Sequence, residues 1–137
     1  MEQTFALIKP QAFKNNLTGP ILNMINTAGF RISAIKSVWM SRRDAQHLYA
    51  VHQDRPFFGD LVEYMISGPI VVMLLEKDNA INDFRDLMGK TDPMEAQAGT
   101  IRRLFGESVQ HNAVHGSDSR ETAEQESALF FSGLERF

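Results

Sequence analysis

The chain predicts an α+β sandwich, a four-stranded antiparallel sheet with helices packed on it, and three observations carry that expectation. Short apolar runs alternate with segments of helical period, one run (Ile70 to Leu75) is almost wholly apolar, and turn residues punctuate each change of period. A length of 137 residues fits one domain spanning 1–137, with a substantial core but no room for a second typical domain.

Taken in order, Thr4 to Ile8 is a short apolar run that fits a buried strand, closed by Lys9-Pro10, whose end delivers a lysine to the sheet edge. Thr18-Gly19-Pro20 opens a helix with Ile21, Leu22, Met24, Ile25 and Ala28 at helical spacing, and Gly29 stops it. Phe30, Ile32 and Ala34 alternate with Arg31 and Ser33, so a second strand runs towards Trp39. Ser41 with Asp44 resembles a capping box for a helix whose inner face holds Ala45, Leu48, Tyr49 and His52. After a break at His52 to Pro56, Phe57 to Ile66 forms a further helix, with Leu61, Met65 and Phe58 turned inward, and Ser67-Gly68-Pro69 ends it.

Ile70 to Leu75 reads as a central strand covered on both faces. Asp78 or Asn79 caps a helix that buries Ile81, Phe84 and Leu87 and leaves Arg85 to solvent, and Gly89 ends it. A polar loop from Lys90 to Gly99 leads to a short helix at Thr100 to Phe105, and Ala113-Val114-His115 makes a brief strand. Asp118 or Ser119 then caps a last helix with Ala123, Glu126, Ser127 and Phe130 on one stripe. Within this order lies βαββαβ, the split pattern of a ferredoxin-like sandwich with its helices on one face. Glu126 is unusual on an apolar stripe: it either snorkels from the stripe's edge to water or is turned inward, and periodicity leaves both open.

Composition narrows the function classes. The 43% hydrophobic and 23% charged content is that of an ordinary globular protein, which excludes disorder and fibres. A net charge of -3 and a pI near 5.8 provide no general cationic field for nucleic acid, so a polyanion must be held by local basic residues, and small phosphorylated ligands suit the chain better. With no cysteine there is neither a disulfide framework nor a thiolate metal site, in keeping with a reducing compartment. The apolar run at the N-terminus is ended by Lys9 too early for a signal peptide, and no stretch is long enough to cross a bilayer, so the expected location is cytoplasmic. On that expectation, the glycosylation acceptor pattern Asn16-Leu17-Thr18 is a chance match.

The chemistry concentrates at Asn112-Ala113-Val114-His115-Gly116-Ser117-Asp118-Ser119. It sets one imidazole after an apolar pair and before a glycine and small hydrogen-bonding residues, where the ring can be reached from outside. A neutral imidazole attacks phosphorus at physiological pH if neighbours fix its tautomer and cations hold the phosphate. A lone His near a turn is more often a surface or core residue than a nucleophile, so cations and donors have to arrive from other segments. Lys9 at a strand end, Arg85 on a helix, Thr91 in a loop and Arg102 beyond Gly99-Thr100 are candidates, each of them weak alone. A rival reading pairs His111 with His115 and His47 with His52 as metal ligands. It fails on detail, because His-Asn-Ala-Val-His lacks the glutamate of zinc proteases and Val-His-Gly reads as strand into turn.

These residues resemble the nucleoside diphosphate kinases over nearly the whole chain. The resemblance runs through Thr4-Phe5-Ala6-Leu7-Ile8-Lys9-Pro10, Tyr49-Ala50-Val51-His52, Arg55-Pro56-Phe57-Phe58, Ser67-Gly68-Pro69, Arg85-Asp86-Leu87-Met88-Gly89, Gly99-Thr100-Ile101-Arg102 and the His115 segment. It implies transfer of the γ-phosphate of a nucleoside triphosphate, typically ATP, to a nucleoside diphosphate by a ping-pong route through a phosphohistidine, which maintains the NTP and dNTP pools. By matching position, His115 is the nucleophile through Nδ1, and Glu126 and Ser117 orient its ring. Lys9, Tyr49, Arg85, Thr91 and Arg102 bind and polarise the phosphates, with Lys9 and Asn112 reaching the ribose hydroxyls. Phe57 stacks on one face of the base and Val109 closes the other. Mg2+ is expected to arrive with the nucleotide, held mainly by phosphate oxygens rather than by protein side chains, and the resemblance implies a homo-oligomer, hexamer or tetramer, built from dimers.

The chain departs from the family pattern at Gln11, at Lys90 beside Thr91 and at Arg103-Leu104, and none of these removes a member of the site. A catalytically silent nucleotide-binding module on the same fold is the competing reading. His115 together with Glu126, Ser117 and all the cations argues against it.

Overall fold

The computed structural model describes all 137 residues, Met1 to Phe137. β1 (Glu2–Ile8), β2 (Arg31–Val38), β3 (Ile70–Lys77) and β4 (Val114–Gly116) make one sheet in the order β2-β3-β1-β4, with every neighbouring pair antiparallel. Around it stand α1 (Pro10–Lys14), α2 (Thr18–Thr27), α3 (Arg42–Leu48), α4 (Phe58–Met65), α5 (Ala80–Met88), α6 (Ile101–Phe105) and α7 (Arg120–Phe130). The ferredoxin-like core is β1-α2-β2-β3-α5-β4.

Helices cover both faces of the sheet, which corrects the expectation of one. Along Phe5–Ile8 of β1 and Ile70–Leu75 of β3 successive side chains go to opposite sides and all are apolar, so a bare face would expose a row of large residues. Phe5, Leu7, Val72 and Leu74 pack with Ala45 and Leu48 of α3, Leu61 and Met65 of α4 and Phe130 of α7. Ala6, Ile8, Val71, Met73 and Leu75 pack with Ile21 and Ile25 of α2, Phe84 and Met88 of α5 and Ile101 of α6. β3 is central as expected. Lys9, expected at the sheet edge, instead ends the other central strand and is buried.

Several local details differ from expectation, each for a physical reason. Helix α1 goes unseen in the periodicity because five residues are too few to show one. It forms because Lys9 is extended at the N-cap and Pro10 supplies a preset φ at the first helical position. Helix α3 ends at Leu48, and Ala50–His52 form a tight 3-10 turn, so His52 does not share the buried face that Leu48 and Tyr49 occupy. Ser41 caps α3 by accepting from Asp44 N at 3.1 Å. Ser119, rather than Asp118, caps α7 through a reciprocal pair with Thr122. Asn79 precedes α5 in the left-handed region (φ 59) and makes no side-chain cap. At Gly116 a Cβ would come within 2.7 Å of the Phe84 ring, so this glycine lets β4 lie directly on α5.

Candidate active site

Because β1 and β4 are antiparallel, the end of β1 lies beside the start of β4, and Lys9 N donates to Ala113 O at 2.8 Å. Ala113 carries a positive φ (75°) and Val114 N donates back to Asn112 O at 2.9 Å, a γ-turn that costs a non-glycine residue strain. It turns Asn112 and His115 onto the same side of the sheet end, where a cleft of about 1470 Å³ opens.

His115 is the middle residue of β4, with Leu7 as its partner in the register. The Tyr49 ring stands edge-on to the imidazole at 5.6 Å and the Phe5 ring at 6.2 Å. Nε2 lies 3.0 Å from Glu126 Oε1. A carboxylate only accepts, so Nε2 is the protonated nitrogen of the neutral ring and the lone pair sits on Nδ1. Ser117 Oγ donates to the same Glu126 oxygen at 2.8 Å, and Ser117 is pinned to β1 by its backbone N, which donates to Phe5 O at 3.0 Å. Glu126 therefore points inward from α7 rather than snorkelling to water, and its side chain is only 13% exposed. Ser117 does not touch the imidazole. It acts on it through Glu126.

The cations come in two kinds. Lys9 is almost fully buried, and burial first, then the nearby Arg102 charge, pulls its ammonium down to about 7. Arg102 is lowered to about 10, chiefly by burial. Its guanidinium donates to Gly89 O and Val114 O, both at 3.0 Å, which ties the end of α5 to β4. Arg85 by contrast is exposed on α5 and paired with Asp118. Thr91 and Asn112 share one lip of the cleft, with Asn112 Nδ2 donating to Thr91 O at 3.0 Å. Asn112 Oδ1, Tyr49 Oη and Arg102 Nε are buried with no hydrogen-bond partner, a cost that a polar ligand in the cleft would offset. Burial, and secondarily Glu126, holds the Tyr49 phenol far above its ordinary value, so it is a neutral hydroxyl.

Phe57 and Val109 stand half-exposed at the cleft mouth. Every residue to which the family resemblance gives a role lines this one cleft except Ser117, which lies behind Glu126. Sequence reasoning missed Asp118 as the partner of Arg85, and also His52, whose ring packs 5.4 Å from that of Phe57. The sequence reads Asp118 as a helix cap and His52 as a helix-face residue or metal ligand, and no local pattern signals either contact. His111, the other half of the supposed metal pair, stacks on Tyr64 with ring centroids 4.1 Å apart.

A ferredoxin-like sandwich that presents a carboxylate-backed imidazole beneath several cations defines a phosphoryl-transfer enzyme. The model of the nucleoside diphosphate kinase family matches residues 2–136. A nucleoside diphosphate kinase of Sinorhizobium medicae is 56% identical over 135 residues, which covers 98% of this chain and 96% of that protein. The solved structure of the Aquifex aeolicus nucleoside diphosphate kinase superposes with a TM-score of 0.97 at 41% identity, covering 99% of both chains. That of the halophilic enzyme from Halobacterium salinarum, in complex with CDP, superposes with a TM-score of 0.96 at 38% identity, covering 99% of this chain and 91% of the other. The chain belongs to the nucleoside diphosphate kinase family and is a nucleotide phosphotransferase.

Proposed function

We propose that His115 carries the phosphate between two nucleotides. The observation that supports this most is the Glu126 contact at Nε2, which leaves Nδ1 as the nucleophilic nitrogen. In the first half-reaction the Nδ1 lone pair attacks the γ-phosphorus of a nucleoside triphosphate, typically ATP. The Nδ1–P bond forms as the bond from phosphorus to the β–γ bridging oxygen breaks, and the diphosphate leaves with that electron pair. A second nucleoside diphosphate then attacks the same phosphorus with a terminal β-phosphate oxygen, the Nδ1–P bond breaks, and the imidazole is regenerated. Glu126 stabilises the positive charge that develops on the ring, and Ser117 holds Glu126 in place.

In this reading Lys9, Arg85, Thr91, Arg102 and Tyr49 hold and polarise the phosphates, Lys9 and Asn112 reach the ribose, and Phe57 and Val109 sandwich the base. The buried unpartnered atoms of Tyr49, Arg102 and Asn112 support it. Mg2+ fits the donor set as a passenger on the nucleotide: no three acidic or His side chains converge on a metal position, so phosphate oxygens would hold it. Bound there, it would neutralise phosphate charge.

Residues 1–137 act as one domain in this proposal, in the cytoplasm, serving the NTP and dNTP pools. Trp39, Met94, Leu104 and Leu134 are large apolar residues left exposed, which supports a homo-oligomer, hexamer or tetramer, built from dimers. Light scattering on the purified protein measures that assembly. The mechanism is tested with γ-labelled ATP: acid-labile label on the protein that chases into GTP on addition of GDP is the expected result. A protein that binds ATP yet never becomes labelled would be the silent module.

A further inference from the structure

The loop from Glu107 to His111 closes on itself, with Glu107 N donating to His111 O at 2.7 Å and His111 N to Ser108 Oγ at 3.0 Å. Its tip carries Val109 and Gln110 into the cleft. A short exposed loop held only by its own turn bonds is free to open locally. Two contacts from distant parts of the chain hold this one at its base. On one side, Gln11 Nε2 donates to Phe105 O at 3.0 Å and to Glu107 Oε2 at 3.2 Å, and Asn15 Nδ2 reaches the same carboxylate oxygen at 3.2 Å. On the other, the Tyr64 ring lies flat on His111, with an interplanar angle of 12°.

The two anchors meet at Gln11. Its backbone N, one of the free donors at the start of α1, donates to Tyr64 Oη at 3.0 Å. One residue thus ties the turn after Lys9-Pro10 to both sides of the loop that bears Val109. Neither Gln11, Tyr64 nor Glu107 lines the cleft, so none of them contacts a nucleotide there.

We propose that Gln11, Tyr64 and Glu107 are positioning residues that hold the Val109 loop against the nucleotide base, so that affinity for the base is set by contacts outside the cleft. This rests on the reading of Val109 as one face of the base site. Gln11 also touches the elements that carry Lys9 and Arg102, since it follows Lys9-Pro10 and is bonded to Phe105 O at the end of α6, so the variants are made at Glu107 and Tyr64, which hold the loop itself.

The test compares two phosphate donors, ATP and ribose 5-triphosphate, which keeps the sugar and phosphates without a base. For each, the rate of phosphoenzyme formation against donor concentration gives an apparent Kd and a maximal rate. Glu107→Leu and Tyr64→Leu are expected to raise the Kd for ATP about three- to tenfold, the worth of one or two net contacts, with the maximal rate and the Kd for ribose 5-triphosphate nearly unchanged. Glu107→Gln retains an acceptor for Gln11 and Asn15, and Tyr64→Phe retains the stack, so each should restore most of the loss in the corresponding leucine variant. Equal weakening of both donors would mean general loosening and would overturn the proposal, as would leucine variants that bind ATP like the parent. Val109→Gly is the separate control: if it leaves the ratio of the two Kd values unchanged, the base-site reading itself has failed and the proposal falls with it. If it shifts the ratio while the anchor variants do not, only the proposal falls.

Discussion

The interior beneath the sheet and the cleft at its end are built from the same strands but resolve polarity in opposite ways. On the two packed faces, β1 and β3 place apolar side chains so completely that Phe5, Leu7, Val72 and Met73 have no exposed surface. At the cleft, the same β1 ends in a buried lysine, and three buried polar atoms find no partner. Folding tolerates this because the apolar faces are large. The two regions thus differ in whether the folded chain satisfies its own polar groups.

The largest test of that division removes the nucleophile and leaves the phosphate-binding end alone. His115→Ala should bind nucleotide nearly as the parent does, since Lys9, Arg85 and Arg102 remain, yet form no phosphoenzyme and lose essentially all turnover. Initial-rate plots of the parent should give parallel lines. Substantial activity in the variant would place the nucleophile elsewhere, and converging lines would mean direct transfer between two bound nucleotides with no phosphoenzyme.

Glu126→Ala acts one step further out, keeping the nucleophile but freeing the imidazole that Glu126 Oε1 holds. A fall in kcat of roughly ten- to a thousandfold is expected, with the phosphoenzyme still detectable by acid-labile label. A kcat equal to the parent's would mean that the strand alone orients the ring.

Lys9 sharpens the comparison through pH. In the empty cleft its amine is held near 7 while in the unfolded chain it titrates near 10.5, so between those values the unfolded chain binds the extra proton. Stability of the nucleotide-free protein should therefore rise with pH across that window from this group and be flat in it below about 7, where both states are charged. A bound phosphate reverses the preference, so nucleotide binding at pH 8 should take up a proton. Calorimetry in two buffers of different ionisation enthalpy measures the uptake, and Lys9→Met should abolish it. Equal observed heats in the two buffers would show that Lys9 stays charged in the empty cleft.

The smallest effect is expected at the cleft rim, where Lys90 is exposed beside Thr91. Lys90→Ala should raise KM for nucleotide by a factor worth roughly 1 kcal/mol or less and flatten its salt dependence, because an exposed charge is well screened. A KM that matches the parent's across a salt series would make Lys90 an ordinary solvated residue.

Much of this protein is written in local pattern. The alternating and continuous apolar runs specify β1, β2 and β3, because a strand must present side chains to fixed faces, and Gly29 and Gly89 mark helix ends where a positive φ is needed. The segment from Asn112 to Ser119 identifies His115 because its chemistry needs an accessible imidazole next to a tight turn. Periodicity could not show that β1 is central, that Lys9 is thereby desolvated, or whether Glu126 turns to water or to the ring. Those follow from strand order and from the packing of α7 on β1, which bring residues more than a hundred positions apart into contact, as Ser117 and Phe5 are. The Gln11 anchor was likewise invisible, since its partners lie 53 and 96 positions away. Local sequence determines which face of an element is apolar and which side chains can do chemistry. Tertiary structure decides which of them lose their water and which meet, because burial and distance are properties of the assembled fold alone.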